Sequence, residues 1–157
     1  MTGSSKSKPP VDLSLQAVLI FQTDKDMHSV ENRLASFDQW PLTGDCMCTP
    51  ERMAEAGFYY CPTENEPDLA RCYVCFKELD GWDPSDDPSK EHSRSVNCEF
   101  VRLGKKAREM TAVDYMHLEK ARTKNRANKF VELHQTEVAE AVRKVTYELG
   151  KVRRKMR

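Results

Sequence analysis

Cys72, Cys75, His92 and Cys98 are the residues of this 157-residue chain whose types and spacing support a definite chemistry. Two cysteines separated by two residues fit one tight turn and can grip a single ion. An imidazole after sixteen further residues, and a thiol after five more, complete a tetrahedron with bonds of about 2.0–2.3 Å, as zinc prefers. Free cysteines are often only small buried hydrophobes, but chance rarely supplies Cys-x2-Cys followed by His and Cys. A catalytic zinc would keep three protein ligands and an open position for water. Four ligands leave no opening, and three thiolates against one divalent cation leave the site net negative. The pattern predicts one structural Zn2+, a closed staple without enzymatic activity.

The elements that must position these ligands can be read around them. The stretch 29–40 predicts a helix with Val30, Leu34 and Phe37 on one side and Pro41 beyond its end. Arg33 lies on the same stretch, by default a surface charge, alternatively a bridge to backbone carbonyls. Thr49 and Pro50 predict the cap and first residue of a second short helix, with Met53 and Ala54 inward and Gly57 at its end. The aromatic run 58–61 and the run 71–75 predict neighbouring strands, and 77–82 a third. The predicted fold class is α+β: a small zinc-stapled domain with a three-stranded sheet and short helices, followed by one long C-terminal α-helix. The divisions are a flexible N-terminal extension at 1–27, the zinc domain at 28–104 and the helix at 105–157.

Charge separates the same two parts. Residues 28–98 hold fourteen Asp or Glu against six Lys or Arg, and residues 99–157 hold eight against sixteen. A zero overall charge therefore divides into minus eight and plus eight, which suits a basic ligand for the first part and an acidic or coiled partner for the second. Six cysteines without a recognisable secretory pattern point to the reducing cytosol or nucleus rather than to a disulfide framework. Cys46, Cys48 and Cys61 then read as buried reduced thiols, with no base or oxyanion arrangement to make one a nucleophile. The apolar residues of 11–21 could cover a domain face or a second copy of the chain.

No Gly or Pro occurs from 105 to 149, and Thr111 with Asp114 matches a capping box. Val138, Val142, Val145, Leu149, Val152 and Met156 are spaced four, three, four, three and four, a coiled-coil seam, with Val131 as its upstream member. Such a seam needs a partner, since exposed together its residues would be a liability. Gly150 is expected to weaken the last turn and leave the basic residues after it as a frayed tail.

Arg33 with Phe37, the run 56–60, Cys72-x2-Cys75, Gly81 to Pro84, and the later His92 and Cys98 resemble the BIR domain of inhibitor-of-apoptosis proteins. The runs 48–58 and 61–70, and a single BIR followed by one long helix, are similar to the single-BIR branch of that family. The likeness begins near Val30 and leaves the first 27 residues uncovered. It implies a subunit of the chromosomal passenger complex, found in nucleus and cytoplasm and at centromeres and the central spindle, that helps localise Aurora B kinase in mitosis and cytokinesis. The helix would join borealin-like and inner-centromere-protein-like helices, and the BIR domain would bind the histone H3 tail phosphorylated on its third residue. By motif position Leu79, Asp80, Trp82 and Asp86 would hold the tail's first alanine, with carboxylates for the ammonium and an apolar wall for the methyl. Lys77, Arg94 and Ser95 would stand near the phosphate. The chain departs from the pattern in the five-residue loop between His92 and Cys98, usually six, and in lacking a second histidine near Ser95. Ala112 and Tyr115 also stand where homodimer contacts are bulkier or more apolar in the family.

A rival implication is inhibition of caspases or action on their antagonists. Caspase inhibition in this superfamily leans on a linker before the BIR, and nothing in 1–26 resembles one specifically. A ubiquitin-ligase RING would need cysteines beyond Cys98, where the sequence has none. The positive charge of the helix could bind nucleic-acid phosphates weakly, although it is interleaved with the seam.

Overall fold

The computed structural model describes residues 24–94 and 97–155. Three short strands form an antiparallel sheet in the order β1 (Phe58–Tyr60), β2 (Ala70–Cys72) and β3 (Glu78–Leu79). Phe58 stands opposite Cys72, and Ala70 opposite Leu79, so the first zinc ligand is fixed by strand register. The predicted third strand at 77–82 shrinks to two residues because Gly81, at φ 70°, turns the chain out of the ladder.

Helix α1 (Val30–Ala35) is capped by the Ser29 hydroxyl, which accepts the Asn32 N–H at 3.2 Å. It is half the predicted length. After Ala35 the chain tightens into turns, and the Ser36 hydroxyl donates to Arg33 O at 2.6 Å while accepting the Tyr60 N–H at 2.9 Å. The helix end is thereby tied to β1, and Phe37 and Trp40 turn into the core. The inward residue of α1 is Arg33, 1% exposed, whereas Leu34 is 37% exposed, which corrects the predicted face. Arg33 donates to Ala54 O (2.9 Å), Met27 O (2.6 Å) and His28 O (3.0 Å), and its guanidinium lies over the Tyr73 ring. A buried guanidinium is tolerated here because its N–H groups meet carbonyls.

Helix α2 (Pro50–Glu55) follows its predicted design, with Thr49 accepting the Arg52 N–H, Pro50 in the first turn, and Met53 and Ala54 fully buried. Gly57 ends it at φ 91°, and a Cβ there would lie 2.9 Å from the Phe100 ring. Helix α3 (Pro88–Ser93) is capped by Asp87 and carries His92; α4 (Glu99–Leu103) follows Cys98 and ends at Gly104 in the left-handed region.

Helix α5 (Ala112–Lys155) runs for 44 residues, a rod of roughly 66 Å at about 1.5 Å per residue. Asp114 accepts the Thr111 N–H and hydroxyl while the Asp114 N–H donates to Thr111 Oγ1, closing the predicted capping box. Its first turns pack against the zinc domain. Leu118 is 2% exposed, Asn125 donates to Val74 O at 3.0 Å, and Arg122 donates to Asp24 O. Beyond that point the rod leaves the domain. It continues through Gly150 to Lys155 without the predicted fraying, because a single glycine costs only about 1 kcal/mol. Among the described residues no helix is long and apolar enough to cross a membrane.

Candidate metal centre and peptide-binding face

The four predicted ligands converge. The donor atoms of Cys72, Cys75, His92 and Cys98 all lie within 4.8 Å of one another. Cys72 closes β2, and the chain then reverses over 72–77, with Cys72 N donating to Lys77 O and Phe76 N to Cys72 O. Phe76 takes a positive φ of 58°, a conformation that costs a residue bearing a Cβ and that the knuckle imposes. Helix α3 delivers His92, and the turn before α4 delivers Cys98.

The donor set fits zinc in its surroundings as well as its chemistry. His92 Nδ1 lies 2.7 Å from Ala56 O, and since a carbonyl only accepts, Nδ1 carries the proton. Nε2 is left facing the sulfurs, 3.7 Å from Cys75 Sγ. Phe58 and Phe100 pack against the ring, with centroids at 4.8 and 5.9 Å. Cys72 Sγ accepts the N–H groups of Val74 and Cys75 at 3.4 and 3.5 Å, outer contacts that stabilise a thiolate. Without metal the protons divide unevenly. Burial pushes the Cys72 thiol well up, whereas hydrogen bonds from Cys72 and Cys98 pull Cys75 far down. For His92 burial acts downward, but contacts with Cys75 and Cys98 prevail and raise it to about 9. Binding a cation must therefore release protons. Cys72, Cys75, His92 and Cys98 would supply every ligand of a closed, structural site.

The other three cysteines are free, with Cys48 buried and Cys46 and Cys61 half-buried. Burial, followed by the neighbouring Cys46, pushes Cys48 up to about 11, so it remains a protonated core thiol.

The predicted peptide-binding residues follow the sheet. Leu79 ends β3, Asp80 is exposed, and Trp82 is 7% exposed within the core, edge-on to Phe58 at 5.5 Å. The Trp82 indole N–H donates to Leu79 O at 3.2 Å, which fixes the ring against β3. Asp86 accepts the Asp83 N–H at 2.8 Å and so holds its own loop together. Asp68, which sequence reasoning passed over, accepts the Trp82 backbone N–H at 2.7 Å and is half-buried. No local pattern marks it, since it lies fourteen residues away on the strand-connecting loop. Of the phosphate-proximal residues Lys77 is half-buried, while Arg94 is exposed and paired with Glu91 at 2.6 Å. Ser95 lies outside the described residues, as do residues 1–23 of the predicted extension and Met156 of the seam.

Comparison with known proteins identifies the family. The family model for the BIR (Inhibitor of Apoptosis) domain matches residues 33–102. Baculoviral IAP repeat-containing protein 5.1-B of Xenopus laevis is 51% identical over 117 residues, covering 74% of this chain and 73% of that protein. Baculoviral IAP repeat-containing protein 5 of Cavia porcellus is 49% identical over 116 residues, 73% of this chain and 82% of the relative. Among solved structures, the DIAP1 BIR1 domain bound to a Grim peptide aligns at 32% identity over 50% of this chain and 75% of that one, with a TM-score of 0.44. With about half of the aligned residues identical over roughly three quarters of this chain and of such relatives, and with the Cys3His cluster assembled in three dimensions, the chain belongs to the inhibitor-of-apoptosis family, in the group of baculoviral IAP repeat-containing protein 5, survivin.

Proposed function

We propose that the protein is a non-enzymatic adaptor of the chromosomal passenger complex, acting in nucleus and cytoplasm and at mitotic centromeres and the central spindle. Its zinc domain reads the basic, alanine-first tail of histone H3, and its long helix joins borealin-like and inner-centromere-protein-like helices, so that Aurora B kinase is brought to chromatin. The observation that carries this reading is the exposure of Val131, Val138, Val142, Val145, Leu149 and Val152, from 50% to 64%, along one seam of an uncovered rod. A monomer that leaves six apolar side chains in water is built for assembly.

The peptide face is supported by chemistry. Asp80 and Asp86 offer carboxylates to a free ammonium, and Leu79 with the fixed Trp82 ring offers an apolar wall to a methyl group. Residues 28–98 are acidic overall, which favours a basic tail over an acidic one. Lys77 and Arg94 are the cations available to a phosphate on the third residue, and Arg94 must leave Glu91 to reach it.

Calorimetric titration tests the reading. An H3 tail peptide should bind, and acetylation of its amino terminus should weaken binding by roughly tenfold or more, the loss of one charge-assisted hydrogen bond set. Undiminished binding of the acetylated peptide would remove the alanine pocket. Co-purification with candidate partner helices, abolished in a Val138→Glu, Val145→Glu variant, tests the bundle separately.

A further inference from the structure

The last third of α5 carries a second face that the seam does not use. Arg143, Tyr147, Lys151 and Arg154 succeed one another by four, four and three residues, with Lys144 beside them, so they line one stripe. Tyr147 lies two residues beyond Val145, and Lys151 two beyond Leu149. Two residues of helix turn about 200°, so the stripe runs opposite the valines. All five residues are exposed, and over 143–155 the chain holds six basic residues against one acid, Glu148. Glu148 pairs with Lys151 at 2.9 Å, and Lys151 also sits over the Tyr147 ring at 4.3 Å. The Nε groups of Arg143 and Arg154 donate to Ala139 O and Gly150 O, which lays both guanidinium groups along the rod.

We propose that this stripe binds the phosphate backbone of double-stranded nucleic acid, without sequence preference, while partner helices occupy the seam. The two faces point away from each other, so charge and seam that interleave along the sequence are separated in space, and one does not exclude the other. From Arg143 to Arg154 the rod advances about 16 Å, a length over which a duplex carries roughly nine phosphate charges. Arginine forks suit phosphate oxygens, and such bonds fix position without reading bases. A membrane surface fits less well. A helix lying in a bilayer interface needs an apolar face at least about 100° wide with bulky Trp, Phe or Leu, and this seam is a narrow four-three row built mainly of valine.

The test is fluorescence anisotropy of a labelled DNA duplex titrated with the full-length, zinc-loaded protein at several salt concentrations. The triple variant Arg143→Gln, Lys151→Gln, Arg154→Gln should bind roughly tenfold or more weakly and lower the salt slope by about 0.9 for each phosphate no longer neutralised. Glutamine serves because it is nearly as good a helix former. A second triple, Lys90→Gln, Arg102→Gln, Arg108→Gln, removes the same charge from exposed positions elsewhere and should bind like the parent. Equal binding by the stripe variant, or equal weakening by both triples, would overturn the proposal. So would polyglutamate competing with duplex at equal charge concentration, or phosphatidylserine vesicles binding where duplex does not. None of these outcomes depends on the histone peptide.

Discussion

The zinc domain and the outer half of α5 solve the same problem in opposite ways. In the domain, short elements of two to six residues have little stability of their own, and they persist because a metal cluster and buried aromatics tie them together. The outer helix has length and an unbroken helical backbone, but it buries almost nothing: from 138 to 149 every residue is exposed. The domain is complete without a partner, whereas the rod is regular without being finished. Regular secondary structure and tertiary stability are therefore separable in this chain, and the part that looks simplest is the one that needs another molecule.

Zinc removal should divide the two regions most sharply. Structural zinc in small peptides contributes about 10–16 kcal/mol near neutral pH, so chelation or Cys98→Ser should abolish the near-ultraviolet signal and cooperative melting of the domain. Far-ultraviolet helicity should fall much less. A parallel loss of both signals would mean that the rod depends on the domain, and the comparison would fail.

Arg33→Met comes next. It takes the Arg33 donors from Met27 O, His28 O and Ala54 O, of which Ala54 O keeps the Gly57 N–H, and at about 1 kcal/mol or more for each of the other two the urea midpoint should drop by the equivalent of roughly 2 kcal/mol. Gly57→Ala should cost about 1–3 kcal/mol for the left-handed backbone alone, besides pushing on Phe100 beside His92. Slower exchange of zinc from this variant than from the parent would contradict the packing described.

The junction between the regions is sensitive to acid. Lys105, and then the Thr111 N–H and hydroxyl, lower Asp114 to about 2. Its folded value lies below the ordinary carboxylate value, so its contribution is present above about pH 4 and lost as pH falls toward 2. Asp114→Asn should lower the stability of the helix start at neutral pH, where the charged carboxylate contributes, flatten that part of the acid titration of helicity, and converge with the parent near pH 2. The smallest effect is the most telling for the comparison: Val142→Glu should leave the melting of the zinc domain unchanged while preventing association through the seam, as read by sedimentation.

Much of this was legible in the chain because its signals are local or chemically rare. Cys72, Cys75, His92 and Cys98 announce a metal whatever surrounds them, since few residue types hold zinc. Thr49 with Pro50, Thr111 with Asp114, and the four-three valines are patterns set by helix geometry, which any chain must obey. The inward face of α1 was legible only as the alternative reading of Arg33, a bridge to backbone carbonyls, and not from periodicity. Periodicity assigns burial by apolarity, and Arg33 is buried because carbonyls 21 residues and 5–6 residues away converge on it.

The sequence by itself determined the ligand set, the division into an acidic domain and a basic rod, and the existence of a seam, because each depends on residue type and on spacing along one element. Only the tertiary structure decided which imidazole nitrogen faces the sulfurs, that Asp68 braces Trp82, that Phe76 bends into the left-handed region, and that Leu118 and Asn125 dock the rod. Those outcomes depend on groups distant in sequence or on local turn geometry reaching one place at once, and spacing along the chain carries no record of that convergence.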